Sequence, residues 1–145
     1  MPSFVLSSGL ASPAESAVYL ADKLRFHTDA ADLALDLLAQ EPQIVALDTR
    51  KPAAYATGHI PGAISFPHVT MTVESTAALD RDKVYVCYCD GIGCNGSTWG
   101  AFKMASLGFQ VKELLGGLDF WVRDGHPLST GPEPGQLTSI IQCQC

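Results

Sequence analysis

Two short and almost wholly apolar runs, IVALD at residues 44–48 and VYVCY at residues 84–88, restrict the fold of this chain more than any other feature. A strand with one face in water alternates apolar and polar residues, whereas these runs offer no continuous polar face. Such runs are typical of parallel strands that are covered on both sides. Because helical segments alternate with the strands, the sequence predicts a parallel sheet with helices on both faces.

Capping and helix-breaking residues predict the boundaries of the other elements. The stretch Ser12–Glu15 is typical of a helix start, and this first helix is expected to run to about residue 21. KLRF at residues 23–26 is expected to be an edge strand, and Thr28 to cap a second helix that ends before Pro42. The remaining elements are expected at 64–66 (strand), within 71–79 (weak helix), 97–107 (helix ended by Gly108), 110–115 (strand) and within 116–125 (last helix).

The length and composition predict one folded domain. The chain has 145 residues, 47% of them hydrophobic, which is enough for a single compact core. We expect a flexible leader at residues 1–11, the domain at 12–128 and a Pro/Gly-rich tail at 129–145. Cys143 and Cys145 lie in this tail, where an exposed segment is the simplest expectation and sulfur relay or metal binding are alternatives.

The charge of the chain argues against two classes of partner. Nine Lys plus Arg against fifteen Asp plus Glu give a net charge of −6, which repels nucleic acid and anionic membrane surfaces. No basic residue precedes the short apolar stretch near the N-terminus, and no run approaches the roughly 20 apolar residues of a membrane span. We therefore expect a cytoplasmic protein. In a reducing compartment clustered cysteines indicate metal binding or catalysis rather than a disulfide framework.

The stretch CYCDGIGCNGST at residues 87–98 is the strongest candidate site. Cys89 follows the second apolar strand, at the edge of the sheet where ligands of open α/β folds bind. The glycines after it can let the backbone curl so that N–H groups point inward, and a helix starting near Ser97 adds its positive end. These groups would favour the thiolate form of Cys89, so a nucleophile is expected. A buried structural cysteine before an ordinary glycine loop is the alternative.

Four motifs lie along the chain before, at and after this loop. They are Asp48-x-Arg50, the turn from Tyr55 to Ala63 that contains GHIPGA, the strand-end pair Tyr88–Cys89, and Gly116–Gly117 with Trp121. Any one of them alone is weak, because GHIPGA by itself could be only a well-formed turn. As a set, over residues 28–128, they resemble the rhodanese family of sulfurtransferases.

The resemblance implies a rhodanese-like three-layer α/β/α domain with about five mainly parallel strands. It also implies a nucleophilic cysteine that carries sulfur as a persulfide, and Cys89 matches that cysteine because it directly follows Tyr88. No cofactor or metal is required. The matching substrate- and persulfide-binding loop consists of Asp90, Gly91, Ile92, Gly93, Cys94, Asn95 and Gly96, followed by Ser97.

Two charged residues are expected to support this site. Asp48 and Arg50 follow the first apolar strand. For Asp48 we expect an ion pair that supports the GHIPGA turn. Arg50 has two possible roles, which are to form that ion pair or to add positive potential near Cys89.

The loop also departs from the family's pattern. Measured back from Gly108, it is longer than the common single-domain form, and its end lacks the usual basic residue. We therefore expect weak use of the thiosulfate anion. Phosphatases and arsenate reductases of the same fold need Cys-x5-Arg to neutralise an oxyanion. Six residues after Cys89 this chain has Asn95, and six residues after Cys87 it has Gly93, so neither cysteine is followed by the required arginine. Phosphatase and arsenate reductase chemistry is therefore disfavoured.

Cys94 and Cys87 have separate expected roles. Cys94 could act as a resolving cysteine that attacks a persulfide or sulfenate on Cys89, or could simply fill the inner wall of the loop. Cys87 lies among apolar residues and is expected in the core. The spacing Cys-x-Cys-x4-Cys lacks the paired arrangement of structural zinc sites, so no metal is expected.

The sequence therefore predicts a sulfurtransferase that carries sulfane sulfur on Cys89. Its donor would be thiosulfate or a small persulfide, and its acceptor cyanide, a small thiol or a protein thiol. The alternative is a non-enzymatic module of the same fold that senses oxidation or binds a partner through Cys89 and Cys94.

Overall fold

The computed structural model describes residues 1–140 and contains five parallel strands in the order β1-β5-β4-β2-β3. Parallel pairing with helices on both faces confirms the predicted fold class. No helix within residues 1–140 is long and apolar enough to cross a membrane. The strands are β1 (His27–Thr28), β2 (Ile44–Asp48), β3 (Ile64–Ser65), β4 (Val84–Tyr88) and β5 (Gln110–Leu114). The helices are α1 (Pro13–Phe26), α2 (Ala30–Leu38), α3 (Pro52–Thr57), α4 (Gly96–Ser106) and α5 (Gly117–Arg123), with a 3-10 turn at His68–Thr70.

The central pair of strands sets the position of the site. β2 and β4 pair along their whole length, from Ile44 opposite Val84 to Asp48 opposite Tyr88. Both strands are therefore buried and end side by side, as their apolar sequences predicted. The residues that follow them meet at one edge of the sheet.

Each face of the sheet has its own hydrophobic cluster. One cluster joins α2 and α5 to the sheet, with Leu33 and Trp121 among its members. The other joins α4 to the sheet through Met104 and contains Cys87, which is fully buried. Burial raises the pKa of the Cys87 thiol to about 12, and the nearby charge of Glu113 adds to this effect. Cys87 is therefore a neutral core residue at physiological pH.

The N-terminal boundaries differ from the prediction. Helix α1 continues to Phe26, so KLRF is not a strand. A capping box between Ser12 and Glu15 starts the helix, and Lys23 and Arg25 in its last turn interact favourably with the helix dipole. The edge strand is the next two residues, His27–Thr28.

Two further local predictions are wrong. The cap of α2 is Asp29, whose side chain accepts from the Asp32 N–H, rather than Thr28. The weak helix within 71–79 is replaced by turns. There the hydroxyls of Ser75 and Thr76 bond to nearby backbone carbonyls and compete with helix formation.

The segment 129–140 packs on the domain. Ser129 and His59 exchange both backbone hydrogen bonds, and the Gly62 N–H donates to the Pro134 carbonyl at 2.8 Å. Leu137 is 3% exposed and belongs to the core cluster of α2 and α5. The first part of the predicted tail therefore covers the GHIPGA turn, while Cys143 and Cys145 lie outside the described residues.

Candidate active site at Cys89

Cys89 lies directly beyond β4 and its side chain faces the following loop. Its sulfur forms a disulfide with Cys94, and the two Cα atoms are 6.3 Å apart. A Cβ placed on Gly96 would lie 3.1 Å from the Cys89 Sγ and 3.4 Å from the Cys94 Sγ. Cys89 itself is 3% exposed, whereas Cys94 is half-buried. The loop therefore closes over Cys89 and joins it to the predicted resolving residue.

Several amides of the loop have no acceptor within the described chain. Of the backbone amides from Asp90 to Cys94, that of Cys94 donates to the Gly91 carbonyl at 3.1 Å, and no hydrogen bond within residues 1–140 uses the other four. The Gly96 N–H donates to the Cys94 sulfur at 3.5 Å. The four amides of residues 90–93 are therefore free to bind an anion, although none of them donates to the Cys89 sulfur in this disulfide form.

The three glycines of the loop have different structural roles. None of Gly91, Gly93 and Gly96 has a positive φ, so the loop does not depend on left-handed backbone at these positions. Gly96 is needed for space, because a side chain there would press on both sulfurs. Gly91 is also confined, since a methyl group there would lie 3.2 Å from the Asp119 Cβ, whereas Gly93 faces open space.

The start of α5 holds the first part of the loop. The Leu118 N–H donates to the Cys89 carbonyl at 2.9 Å, and the Asp119 N–H donates to the Asp90 carbonyl at 2.7 Å. Gly117 makes this contact possible, because its φ is +58° and a Cβ there would lie 2.5 Å from the Cys89 carbonyl oxygen. The Gly116–Gly117 motif thus fixes the backbone of the catalytic candidate.

Replacing Gly117 by alanine is expected to disturb this support. The left-handed φ and the close carbonyl together should lower the free energy of unfolding by roughly 1–3 kcal/mol and displace Cys89. Gly93→Ala is the matched control, since its methyl group meets no atom within 4 Å, and a change below about 0.5 kcal/mol is expected. Urea unfolding and the alkylation rate of reduced Cys89 measure both effects. Equal values for the two variants would contradict this role of Gly117.

Asp48 and Arg50 form a buried ion pair beside the loop. Arg50 donates through Nε and Nη2 to the Asp48 carboxylate, at 3.0 and 2.7 Å to its nearer oxygens, and Asp48 is fully buried. Arg50 also donates to the Gly58 carbonyl at 2.6 Å and to the Asp90 carboxylate at 3.0 Å. One guanidinium therefore connects the end of β2, the GHIPGA turn and the first residue of the loop.

The charges of this pair are fixed by its surroundings. Burial alone would lower the pKa of Arg50, but hydrogen bonds and attraction from Asp48 and Asp90 raise it above its ordinary value. Burial raises the pKa of Tyr88, and the charge of Asp48 raises it further. Tyr88 therefore stays protonated. Its hydroxyl donates a hydrogen bond to the Asp48 carboxylate at 2.9 Å and accepts one from the Ile60 N–H. The positive charge of Arg50 is balanced by two carboxylates.

Two residues near the loop were not singled out from the sequence. Glu113 on β5 accepts from the hydroxyls of Ser97 and Thr98 at 3.2 and 3.0 Å, and so ties the first turn of α4 to β5. Glu113 lies near the carboxyl end of a strand that the sequence predicted, and this position could have indicated a place near the site. His68 lies on the same side of Gly96, since a Cβ placed on Gly96 would be 3.4 Å from the His68 Cδ2. The buried Nδ1 of His68 has no hydrogen-bond partner within the described residues. Its placement depends on a 3-10 turn that the sequence did not reveal.

An open cavity of about 840 Å³ adjoins the disulfide on the α5 side. Its lining includes Cys94, the exposed Ile92 and Phe120, and the acidic Asp119. Arg123 is the basic residue of this lining, and it pairs with Asp119 at 3.4 Å. The mouth of the site is therefore partly apolar, without an excess of positive charge.

The family model of the rhodanese-like domain matches residues 30–124, a range that contains β2, β4, the Cys89 loop and the start of α5. The chain belongs to the rhodanese-like domain family. This result confirms the family that the motifs indicated. Within the rhodanese-like domain, Cys89 keeps the predicted place at the end of the central strand.

The chain is similar to two relatives with different names. It is 32% identical over 123 residues to the HTH-type transcriptional regulator Rv0324 of Mycobacterium tuberculosis, covering 84% of this chain and 54% of that protein. The chain thus spans about half the length of this regulator. It is 30% identical over 91 residues to a protein named Sulfurtransferase of Allochromatium vinosum, covering 63% of this chain and 83% of the relative.

A solved structure has the same fold. The crystal structure of the BH2092 protein from Bacillus halodurans is 38% identical in sequence, with a TM-score of 0.80. The match covers 83% of this chain and 88% of that one. The sheet and its covering helices are therefore shared over most of both chains.

Proposed function

We propose that this protein is a sulfurtransferase in which Cys89 carries sulfane sulfur as a persulfide. The observation that supports the proposal most directly is the position of Cys89, at the end of β4 and enclosed by a loop whose amides lack internal acceptors. Similarity to a protein named Sulfurtransferase supports the same reaction class. The disulfide with Cys94 must be reduced before the cycle begins.

The reaction consists of two nucleophilic displacements. The Cys89 thiolate attacks the outer sulfur of a donor, which forms the Cys89 persulfide and releases the remainder of the donor as a thiolate, or as sulfite when the donor is thiosulfate. Cyanide or an acceptor thiol then attacks the outer sulfur of the persulfide and restores the Cys89 thiolate. The amides of residues 90–93, which have no internal acceptor, are available to stabilise the negative charge in both steps.

The charges around the loop favour a small persulfide over thiosulfate as the donor. Residues 90–96 contain no Lys or Arg, and Arg50 is already paired with Asp48 and Asp90. A doubly charged anion therefore finds few unpaired positive groups, whereas a persulfide brings less charge and can place its organic part against Ile92 and Phe120. The same apolar mouth suits a thiol presented by a protein acceptor.

Mass spectrometry of the reduced protein tests the proposal. Treatment of the Cys94→Ser variant, which lacks the second thiol beside Cys89, with a small alkyl persulfide is expected to add about 32 Da, and fragmentation should place the added sulfur on Cys89. Cys87→Ala introduced into Cys94→Ser is the matched control and should gain the same adduct, because Cys87 is buried and protonated. Failure of both proteins to gain sulfur, or an adduct on Cys87, would contradict the proposal.

A redox-sensing module is the second candidate function. The Cys89–Cys94 disulfide favours it, as does similarity to a protein named as a transcriptional regulator. This candidate predicts a loss of about 2 Da from the reduced protein on mild oxidation, independent of any sulfur donor, with no 32 Da adduct at any donor concentration.

A further inference from the structure

We propose that Cys94 discharges the Cys89 persulfide as hydrogen sulfide, so that the domain acts as a dithiol-dependent persulfide reductase. This inference rests on the proposed function, because it needs a persulfide on Cys89. It extends that function by giving the sulfur a destination that requires no separate acceptor. Three features of the loop support it.

The first feature is the reach of Cys94. The Cys89–Cys94 disulfide shows that the folded loop, which connects β4 to α4, brings the two sulfurs into bonding contact. The missing side chain of Gly96 leaves the room that both sulfurs occupy. Cys94 is therefore placed to attack the inner sulfur of a persulfide, which is the Cys89 Sγ itself.

The second feature is the chemistry that this contact allows. The Cys94 thiol loses its proton, and its thiolate forms a bond to the Cys89 Sγ while the bond from that Sγ to the outer sulfur breaks. The outer sulfur leaves with the electron pair as hydrosulfide and takes up a proton, so one hydrogen sulfide and one Cys89–Cys94 disulfide are formed. The two cysteine sulfurs are oxidised and the outer sulfur is reduced.

The third feature is the unequal access to the two sulfurs. Cys89 is 3% exposed, whereas Cys94 is half-buried and lines the open cavity of about 840 Å³. An external dithiol should therefore attack the Cys94 sulfur and release Cys89 as the thiolate. Its second thiol then resolves the mixed disulfide, which oxidises the dithiol and returns both cysteines to the reduced form. Cys89 leaves this step ready for the next donor.

A wall-filling role for Cys94 explains these features less well. A small residue that only fills the inner wall would be buried and apart from the nucleophile. Cys94 is instead partly exposed, bonded to Cys89, and its sulfur accepts the Gly96 N–H. That hydrogen bond would stabilise the attacking thiolate.

A single-turnover experiment separates the two roles. Reduced wild-type protein and Cys94→Ser are freed of reductant and mixed with one equivalent of a small alkyl persulfide, without any added thiol. The wild type is expected to release close to one equivalent of sulfide and to finish about 2 Da below the reduced mass. Cys94→Ser is expected to keep the 32 Da adduct on Cys89 and to release sulfide at least tenfold more slowly. Formation of the adduct also shows that the variant is folded, and Cys87→Ala should behave as the wild type.

The other results overturn the inference in distinguishable ways. If the wild type keeps its adduct as long as Cys94→Ser does, Cys94 does not discharge the persulfide, although Cys89 still carries sulfur. If the added sulfur moves to Cys94 without release of sulfide, Cys94 attacks the outer sulfur and relays it. If neither protein gains sulfur, the proposed sulfurtransferase function fails together with this inference.

Discussion

Replacing Cys89 by serine is expected to reduce sulfur transfer to the level of the uncatalysed reaction, a loss of at least about a thousandfold. A serine hydroxyl is not ionised near neutral pH and forms no persulfide. The loop amides and the start of α4 then remain, but no atom at that position can hold the sulfur. Because every step of the proposed cycle passes through the Cys89 Sγ, no other residue compensates for its loss.

Thiocyanate formation from cyanide measures this effect, with both a small persulfide and thiosulfate as donors. Cys87→Ala is the matched control, because it removes a sulfur two positions away that is fully buried in the core. It should keep most of the activity despite a modest loss of stability. Activity that survives in Cys89→Ser would show that another group is the nucleophile.

The central part of the fold could be predicted from the sequence because its residues have one dominant environment. β2 and β4 are buried on both faces, so their apolar runs have no competing explanation. β1 is different, since it has two residues and exists only through pairing with Glu113 and Leu114 on β5. Tertiary contacts decide such an edge strand, so the prediction from the local sequence placed it wrongly at residues 23–26, where helix α1 continues.

The candidate site shows the same division. Strand-end position and motif order were enough to single out Cys89, and the loop residues lie around it in the structure. Nothing in the sequence indicated that Gly96 provides space for two sulfurs, because Cys89 and Cys94 meet there only in the folded loop. The contact of Arg50 with Asp90 joins residues far apart in the chain, and the approach of His68 needs the 3-10 turn. No local pattern in the sequence encodes either contact.

Asp48→Ala is expected to be among the most destabilising substitutions in the chain. Asp48 is fully buried and accepts from the Arg50 guanidinium, the Arg50 N–H and the Tyr88 hydroxyl. Its removal leaves the Arg50 side chain, 8% exposed, without its main partner. Breaking a buried pair in this way costs about 3–5 kcal/mol, because the Arg50 charge stays buried with the exposed Asp90 as its remaining charged partner. The Tyr88 hydroxyl also loses its acceptor.

Asp22→Ala is the matched control, because it removes the same carboxylate from an exposed pair with Arg25 on α1. Exposed pairs contribute about 0–1 kcal/mol, so urea unfolding should separate the two variants clearly. Asp48→Asn keeps the volume and one acceptor oxygen, and is expected to fall between them. In Asp48→Ala the guanidinium of Arg50 is no longer fixed to β2 and keeps Asp90 as its charged partner, so the loop should shift and the alkylation of reduced Cys89 should change. The alkylation rate should stay constant in Asp22→Ala. Equal stability of Asp48→Ala and Asp22→Ala would show that the buried pair neither supports the fold nor positions the loop.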